Sequence, residues 1–291
     1  MTDRTLIIGA SGLLGSIIFR YLKISSEVYG TSFSSRSTYD GSLVALDAGN
    51  SDALYKLVDD ISPTRIINCM GLVSVEQCEK RPEASWQLNA EIPARLARIT
   101  YDRKIQLVHI STDHFDSIKK LPRYEDDECF AVNQYGRSKL QAEKFIQAND
   151  AKALILRTNF FGKSLRNHNS LLDFSMLKLA SNQKFYGFED VLFSPVGATQ
   201  IACFLQDDRS KLVKGILNFT SREIISKYDF HILVAQIAGL SERLVERGSI
   251  SDSSLTVKRP NYLSLNPERL ENEVGFKLPP LRQMLKIEID T

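Results

Sequence analysis

The chain has 291 residues, 43% apolar and 25% charged, an ordinary globular composition long enough for about two domains and a core that needs neither disulfides nor a metal. Thirty-seven basic residues against 35 acidic ones leave a net charge of +2, which removes the electrostatic case for a nucleic-acid polymer or an anionic membrane as partner. Cys69, Cys78, Cys129 and Cys203 fall at no C-x-x-C spacing, so buried thiols in a reducing compartment are expected, and no metal site.

Taken in chain order, the first half alternates strand and helix signals. Residues 5–8 form a short apolar strand, followed by a glycine turn and an apolar helix over 13–23. This segment resembles a signal-peptide core in hydropathy, but three regularly spaced glycines, the preceding Asp3 and the lack of a small-residue cleavage pattern argue against one. No run reaches the ~18–20 apolar residues that span a bilayer, and a cytoplasmic protein is expected. Strands follow over 27–32 and 42–46, then a helix over 52–61 that stops before Pro63. A strand over 65–69, a helix over 82–101 bent near Pro93, and strands over 106–110 and 153–156 flanking a helix over 135–147 complete the series. Repeated βα units with short all-apolar strands imply an α/β fold, a Rossmann-type doubly wound parallel sheet covered on both faces. Beyond residue 158 the pattern loosens. Helical spacing returns near 197–207 and 226–240, and Pro260, Pro267, Pro279 and Pro280 break the tail into short pieces. The expected organisation is a nucleotide-binding domain over 1–158 with returns around 188–220. A smaller C-terminal substrate-binding lobe takes 159–187 and 221–291.

Gly9, Gly12 and Gly15 stand at G-x-x-G-x-x-G spacing between the first strand and the first helix. Glycines there permit a tight turn, close approach of a pyrophosphate and close helix–strand packing, and the helix start offers free N–H groups to phosphate. Ser11, Leu13 and Leu14 share that turn as candidate cofactor contacts. The second strand ends without an acidic residue to accept from a ribose 2′-hydroxyl; Ser34, Ser35 and Arg36 suit a 2′-phosphate instead, favouring NADP(H) over NAD(H). Asp47, beside Ala48 after the third strand, is placed either to meet the adenine edge or to cap the next turn.

Tyr135 and Lys139 lie four residues apart on one helix face. A free tyrosine has a pKa near ~10, and a neighbouring ammonium stabilises its phenolate, bringing it toward the range of a proton shuttle. The fifth strand ends in Ser111-Thr112-Asp113-His114, at the carboxyl edge where such sheets bind ligands. A hydroxyl of Ser111 or Thr112 there can donate to a substrate carbonyl. Lys119, Lys120 and Arg123 form a basic stretch read either as a diphosphate contact or as a solvated face.

The order and spacing of the glycine turn, the Ser-Thr strand end and the Tyr-x-x-x-Lys helix resemble the extended short-chain dehydrogenase/reductases. More narrowly they resemble the dTDP-4-dehydrorhamnose reductase family, through Asn68-Cys69-Met70-Gly71, Leu88-Asn89-Ala90, Ser111-Thr112-Asp113, Tyr135 to Lys139 and Arg157 to Phe160, with a fainter echo at Ser226-Lys227-Tyr228. That resemblance implies reduction of a nucleotide-linked 4-keto-6-deoxysugar with Thr112, Tyr135 and Lys139 catalytic. Cys69, Met70, Gly71 and Ser111 would lie along the cofactor, and Val75, Thr112, Asp113, His114, Asn159 and Phe160 toward the substrate. Where related dehydratases carry Asp-Glu this chain has Asp113-His114, so elimination is disfavoured and His114 is read as hydrogen-bonded structure. A sugar-nucleotide epimerase, and an NADP-binding regulatory subunit like the β subunit of methionine adenosyltransferase, remain alternatives. A homodimer is possible.

Overall fold

The computed structural model describes residues 3–33, 43–117, 122–163 and 170–291. The βα series runs β1 (Arg4–Ile8), α1 (Leu13–Leu22), β2 (Glu27–Ser32), β3 (Leu43–Ala45), α2 (Ser51–Ile61) and β4 (Arg65–Asn68). It continues with α3 (Val75–Lys80), α4 (Pro82–Trp86), a π-helical turn (Gln87–Glu91), α5 (Ile92–Arg103), β5 (Gln106–Ile110), α6 (Gln134–Asn149) and β6 (Leu154–Arg157). The second half holds β7 (Phe160–Phe161), α7 (Leu171–Ala180), β8 (Phe185–Phe188), β9 (Leu192–Phe193), β10 (Val196–Gly197), α8 (Ala198–Gln206) and α9 (Arg209–Leu212). It ends with β11 (Gly215–Asn218), β12 (Ile225–Ser226), α10 (Lys227–Ala238), β13 (Val245–Gly248) and α11 (Leu281–Asp290).

Seven strands pair in parallel in the order β11-β6-β5-β4-β1-β2-β3. Coverage of both faces explains why the inner strands β1, β4, β5 and β6 are largely apolar, whereas β2 and the edge strand β3 begin or end in exposed residues. Ile7, Ile67, Val108, Leu154 and Leu156 enter one core with α1 and α8. Their neighbours Leu6, Ile8, Ile66, Leu107 and Ile155 enter a second with α2 and α5. The strand order reverses between β1 and β4, which opens a crevice at their carboxyl ends.

Helix 82–101 is continuous to Arg103, but its irregularity sits in the π turn just before Pro93 rather than at Pro93 itself. The Ile92 N–H reaches back to Gln87 O, so the extra residue is absorbed one turn before the proline that lacks an N–H.

In the second half, α8 and α10 match the expected helices, and β11 supplies the seventh strand. Helices α7, α9 and α11 escape the sequence reading. In α7, Leu172 and Leu179 are buried while Phe174 and Leu177 are exposed, so apolar residues occupy both faces and no period emerges. Helix α11 begins directly after Pro280; proline just before a helix starts it rather than breaks it. The buried Glu288 of α11 accepts the Thr199 N–H of α8 at 2.7 Å, a carboxylate at a helix N-terminus. One continuous core joins sheet residues such as Ile67 and Leu154 to Phe230 of α10 and Leu285 of α11. Among the described residues no helix is long and apolar enough to cross a membrane, and no group of three His, Cys, Asp or Glu side chains could hold a metal.

Candidate active site

The glycine turn is built as its spacing requires. Gly9 has φ +83°, and a Cβ there would lie 3.0 Å from Met70 N. At Gly15 a Cβ would come within 2.3 Å of Gly9 O, so α1 approaches β1 only because that residue is glycine. Gly9 N–H donates to Thr31 Oγ1 at 3.1 Å, tying the turn to β2. The first amides of α1 have no acceptor within the helix, and Gly12, Leu13 and Leu14 border a cavity of about 670 Å³.

That cavity gathers most of the sequence-predicted residues. Cys69, Met70 and Gly71 border it from the end of β4, and Ser111 to His114 from the end of β5. Tyr135 and Lys139 border it from α6, with Val75, Asn159 and Phe160 opposite. Gly9, Ser11 and Gly15 shape the turn behind it without lining it. Asp47 and Ala48 lie off the lining as well, and the Asp47 carboxylate accepts Gly49 N–H at 2.9 Å, the turn-capping alternative. Ser34, Ser35 and Arg36 lie outside the described residues, as do Lys119 and Lys120.

Helix α6 starts at Asn133, whose Oδ1 accepts Gly136 N–H at 2.9 Å. This cap sets Tyr135 on the first turn. Burial pushes the Tyr135 hydroxyl up to about 12; a hydrogen bond with Thr112 works against that rise and the Asp113 charge adds to it. Lys139 is tied to β5. Its Nζ donates to Ile110 O at 2.6 Å and lies 3.2 Å from His109 Nε2, and burial pulls its pKa down to about 8.

Thr112 Oγ1 accepts His114 N–H at 3.1 Å. The Ser111 hydroxyl is committed elsewhere: it donates to Glu143 Oε1 at 2.5 Å, within a buried Glu143–Arg157 ion pair of 2.8 Å. Asp113 is buried, accepts from Asn159 Nδ2 at 2.6 Å, and is pushed up to about 6, mainly by burial. His114 borders both cavities and is also hydrogen-bonded within the fold. With Asn133 Oδ1 occupied by Gly136 N–H, the amide nitrogen donates to His114 Nε2 at 2.8 Å. The ring packs edge-on against Tyr135 at 5.4 Å, and burial drops its pKa to about 4.

Some site residues are not legible in the sequence. Asn89, inside the π turn, bridges the cavity floor: its Oδ1 accepts Leu72 N–H at 2.8 Å, and its Nδ2 donates to Leu72 O at 3.0 Å and Ser138 Oγ at 3.1 Å. The Leu88-Asn89-Ala90 motif marks it without giving it a role, because nothing in sequence shows that a π turn aims it inward. A second cavity of about 1200 Å³ shares Val73, Val75, His114 and Asn159 with the first. Lys227, Arg247 and Arg259 line it together with Phe174, Tyr186 and Phe188. Only the short Ser226-Lys227-Tyr228 echo pointed there. Arg123 is neither a diphosphate contact nor a solvated face: it is buried, and its guanidinium donates to the carbonyls of Asp113, Phe115 and Tyr262.

Similar proteins match this chain over nearly their whole length. The probable low-salt glycan biosynthesis reductase Agl14 of Haloferax volcanii is 29% identical over 96% of this chain and 95% of its own. The crystal structure of a dTDP-4-dehydrorhamnose reductase from Clostridium acetobutylicum superposes with a TM-score of 0.88 at 28% identity, covering 99% of this chain and 98% of that one. The fold is equally close, with a TM-score of 0.90 at 22% identity and complete coverage of both chains, to a dTDP-4-dehydrorhamnose reductase from Bacillus anthracis crystallised with NADP. The family model of the RmlD substrate binding domain matches residues 3–291, and the chain belongs to that family.

Proposed function

We propose that this protein is an NADPH-dependent reductase of a nucleotide-linked 4-keto-6-deoxysugar. The observation that carries the reading is the convergence of Thr112, Tyr135 and Lys139 on one cavity that also opens onto the glycine turn. The turn fits a dinucleotide: the positions of Gly9 and Gly15 exclude a Cβ, and the first turn of α1 faces the crevice at the β1/β4 switch. Gly12, Leu13 and Leu14 are suited to the pyrophosphate, and Cys69, Met70 and Gly71 to the middle of the cofactor. In this reading residues 1–158 with 188–220 form the cofactor half, and 159–187 with 221–291 the substrate lobe.

The bound nicotinamide supplies hydride chemistry at the sugar ketone. Tyr135, protonated at neutral pH, gives its proton to the developing alkoxide, and Thr112 holds the carbonyl oxygen beside it. Lys139 orients the ribose hydroxyls and, when charged, steadies the phenolate left on Tyr135. The second cavity, with Lys227, Arg247 and Arg259 beside three aromatic rings, suits the diphosphate and base of the sugar nucleotide. The similarity to dTDP-4-dehydrorhamnose reductases along the whole chain supports a dTDP-linked substrate. A cytoplasmic homodimer completes the reading, and light scattering tests its mass.

The deciding experiment follows NADPH absorbance with a dTDP-linked 4-keto-6-deoxyhexose. One NADPH is expected to disappear per sugar, with deuteride from labelled cofactor arriving at C4. Product formed with no net cofactor change identifies an epimerase instead. Saturable NADPH binding without turnover across nucleotide-linked keto sugars identifies a binding subunit.

A further inference from the structure

Lys139 is joined to a chain of buried polar groups that the proposed reaction does not use. His109, fully buried on β5, has Nε2 at 3.2 Å from Lys139 Nζ and Nδ1 at 3.1 Å from Asn68 Nδ2. The Asn68 amide has a determined orientation, because its Oδ1 accepts Met70 N–H at 3.1 Å. Its NH₂ end therefore faces His109, and an NH₂ group only donates. His109 Nδ1 must accept, so the single proton of the neutral ring sits on Nε2 and points toward Lys139. An ammonium has no lone pair to receive that N–H. A neutral amine has one, and keeps a hydrogen for Ile110 O at 2.6 Å.

We infer that Asn68 and His109 are a positioning pair that sets the proton state of Lys139, biasing it toward the neutral amine in the free protein. The other titratable groups facing Lys139 are consistent with this. Glu143, on the same helix, favours the ammonium, but its carboxylate is engaged by Arg157 and Ser111. The Cys69 thiol, beyond β4, is raised to about 12 by burial and is uncharged at neutral pH. Tyr135, one turn away, is likewise protonated. His109 does not compete for a second proton, since burial holds its pKa well below the usual histidine range. The consequence for catalysis rests on the reductase reading: the charge that steadies an anionic Tyr135 is governed by Asn68, a residue that touches neither Tyr135 nor the cavity. The tautomer itself does not depend on that reading.

Two measurements test the inference. Nitrogen-15 spectra of the four histidines in the free wild-type protein should show His109 as the Nε2–H tautomer throughout the neutral range. An Nδ1–H tautomer overturns the inference, and this readout needs no variant to fold. Asn68→Asp preserves shape and the acceptor for Met70 but reverses the bond to Nδ1, turning Nε2 into an acceptor. The Lys139 titration midpoint, read from its Nζ chemical shift in the free protein and from the pH profile of kcat/KM, should then rise by about one pH unit or more, roughly tenfold in proton affinity. Because aspartate adds a charge, His109→Leu, which removes the donor and adds none, should move the midpoint upward as well. An unchanged or lowered midpoint in His109→Leu overturns the inference. Absence of turnover on every keto sugar, with the Nε2–H tautomer present, removes the reductase reading and leaves the pair standing.

Discussion

Tyr135 carries its proton throughout the neutral range because burial raises its pKa to about 12, which is the state a proton donor must rest in. Tyr135→Phe keeps the ring and its edge contact with His114 while removing the proposed acid. Turnover should fall by ~10²–10⁴, the usual contribution of a general acid, with little change in the NADPH dissociation constant. Steady-state kinetics beside fluorescence titration of cofactor checks this, and near-normal turnover in the variant would show that another group donates the proton. Asp113 is perturbed in a different way. Its carboxyl is raised from 3.8 to about 6, mainly by burial, with Asn159 and Lys227 opposing. A carboxyl whose folded pKa exceeds its unfolded one adds stability below the unfolded value, and that contribution is lost as pH rises through about 6. Between about pH 4 and pH 7 the protein should lose about 2 kcal/mol on this account, because a tenfold change in proton affinity is worth ~1.4 kcal/mol. Asp113→Asn keeps an acceptor for Asn159 and has no such titration. Urea unfolding should therefore show wild type losing about 2 kcal/mol relative to the variant across that interval. Parallel pH profiles for the two proteins would mean that Asp113 titrates normally.

The two inner glycines of the first βα turn do different jobs, and substitution separates them. A Cβ at Gly15 meets the backbone of Gly9 at 2.3 Å, whereas at Gly12 the same contact is an ordinary 3.4 Å. Gly12 also has φ −75° and ψ 171°, which alanine adopts without strain. Gly15→Ala should therefore cost stability, at least the ~1–3 kcal/mol of an overpacked core. Gly12→Ala should unfold like wild type but bind NADPH about tenfold or more weakly, since its methyl enters the path of the pyrophosphate. Thermal melts alongside cofactor titration distinguish the two; equal loss of stability in both would mean the turn has one structural role only. This turn was readable because glycine spacing reports backbone geometry directly. The strands β1, β4, β5 and β6 were readable because burial on both faces leaves a largely apolar run. Helix α7 was hidden by apolar residues on both faces, and the short strands β7 to β10 are too brief to carry a period. At the site, Thr112, Tyr135 and Lys139 were visible as a motif with a role, whereas Asn89 and Lys227 were marked by motifs without one and Arg247 by none, because their placement depends on a π turn and on segments distant in sequence.

At the scale of the whole molecule, the loop after β5, the edge of the sheet and the C-terminal segment meet around one buried cation. Arg123 is 2% exposed and donates to Phe115 O at 2.5 Å, Asp113 O at 2.6 Å and Tyr262 O at 2.9 Å. Its backbone pairs with the same C-terminal stretch: Arg123 N–H reaches Ser264 O at 3.0 Å, and Asn266 N–H reaches Arg123 O at 2.8 Å. Asn218, at the end of β11, adds a third element by donating to Arg123 O at 2.8 Å. One residue thus fixes the loop after β5, which carries Asp113 and His114, to residues 262–266 and to the sheet edge. Guanidinium geometry suits this, since several donors in one plane satisfy several carbonyls that burial would otherwise leave unpaired. Arg123→Met retains the apolar stem and removes those donors, orphaning three carbonyls. Each buried unpaired acceptor costs ~1–3 kcal/mol, so a loss of about 3 kcal/mol or more is expected. Arg222→Met serves as the comparison. Arg222 pairs with Glu271 from a largely exposed side chain, and such solvent-screened pairs add little to stability. Activity assayed well below the melting temperature adds the functional half. Loosening the Asp113–His114 loop should lower kcat/KM in Arg123→Met even where the protein remains folded, while Arg222→Met keeps wild-type kinetics. If Arg123→Met matched Arg222→Met in both unfolding free energy and kcat/KM, the loop would be held by its backbone pairing alone, and the guanidinium would have no part in joining these segments.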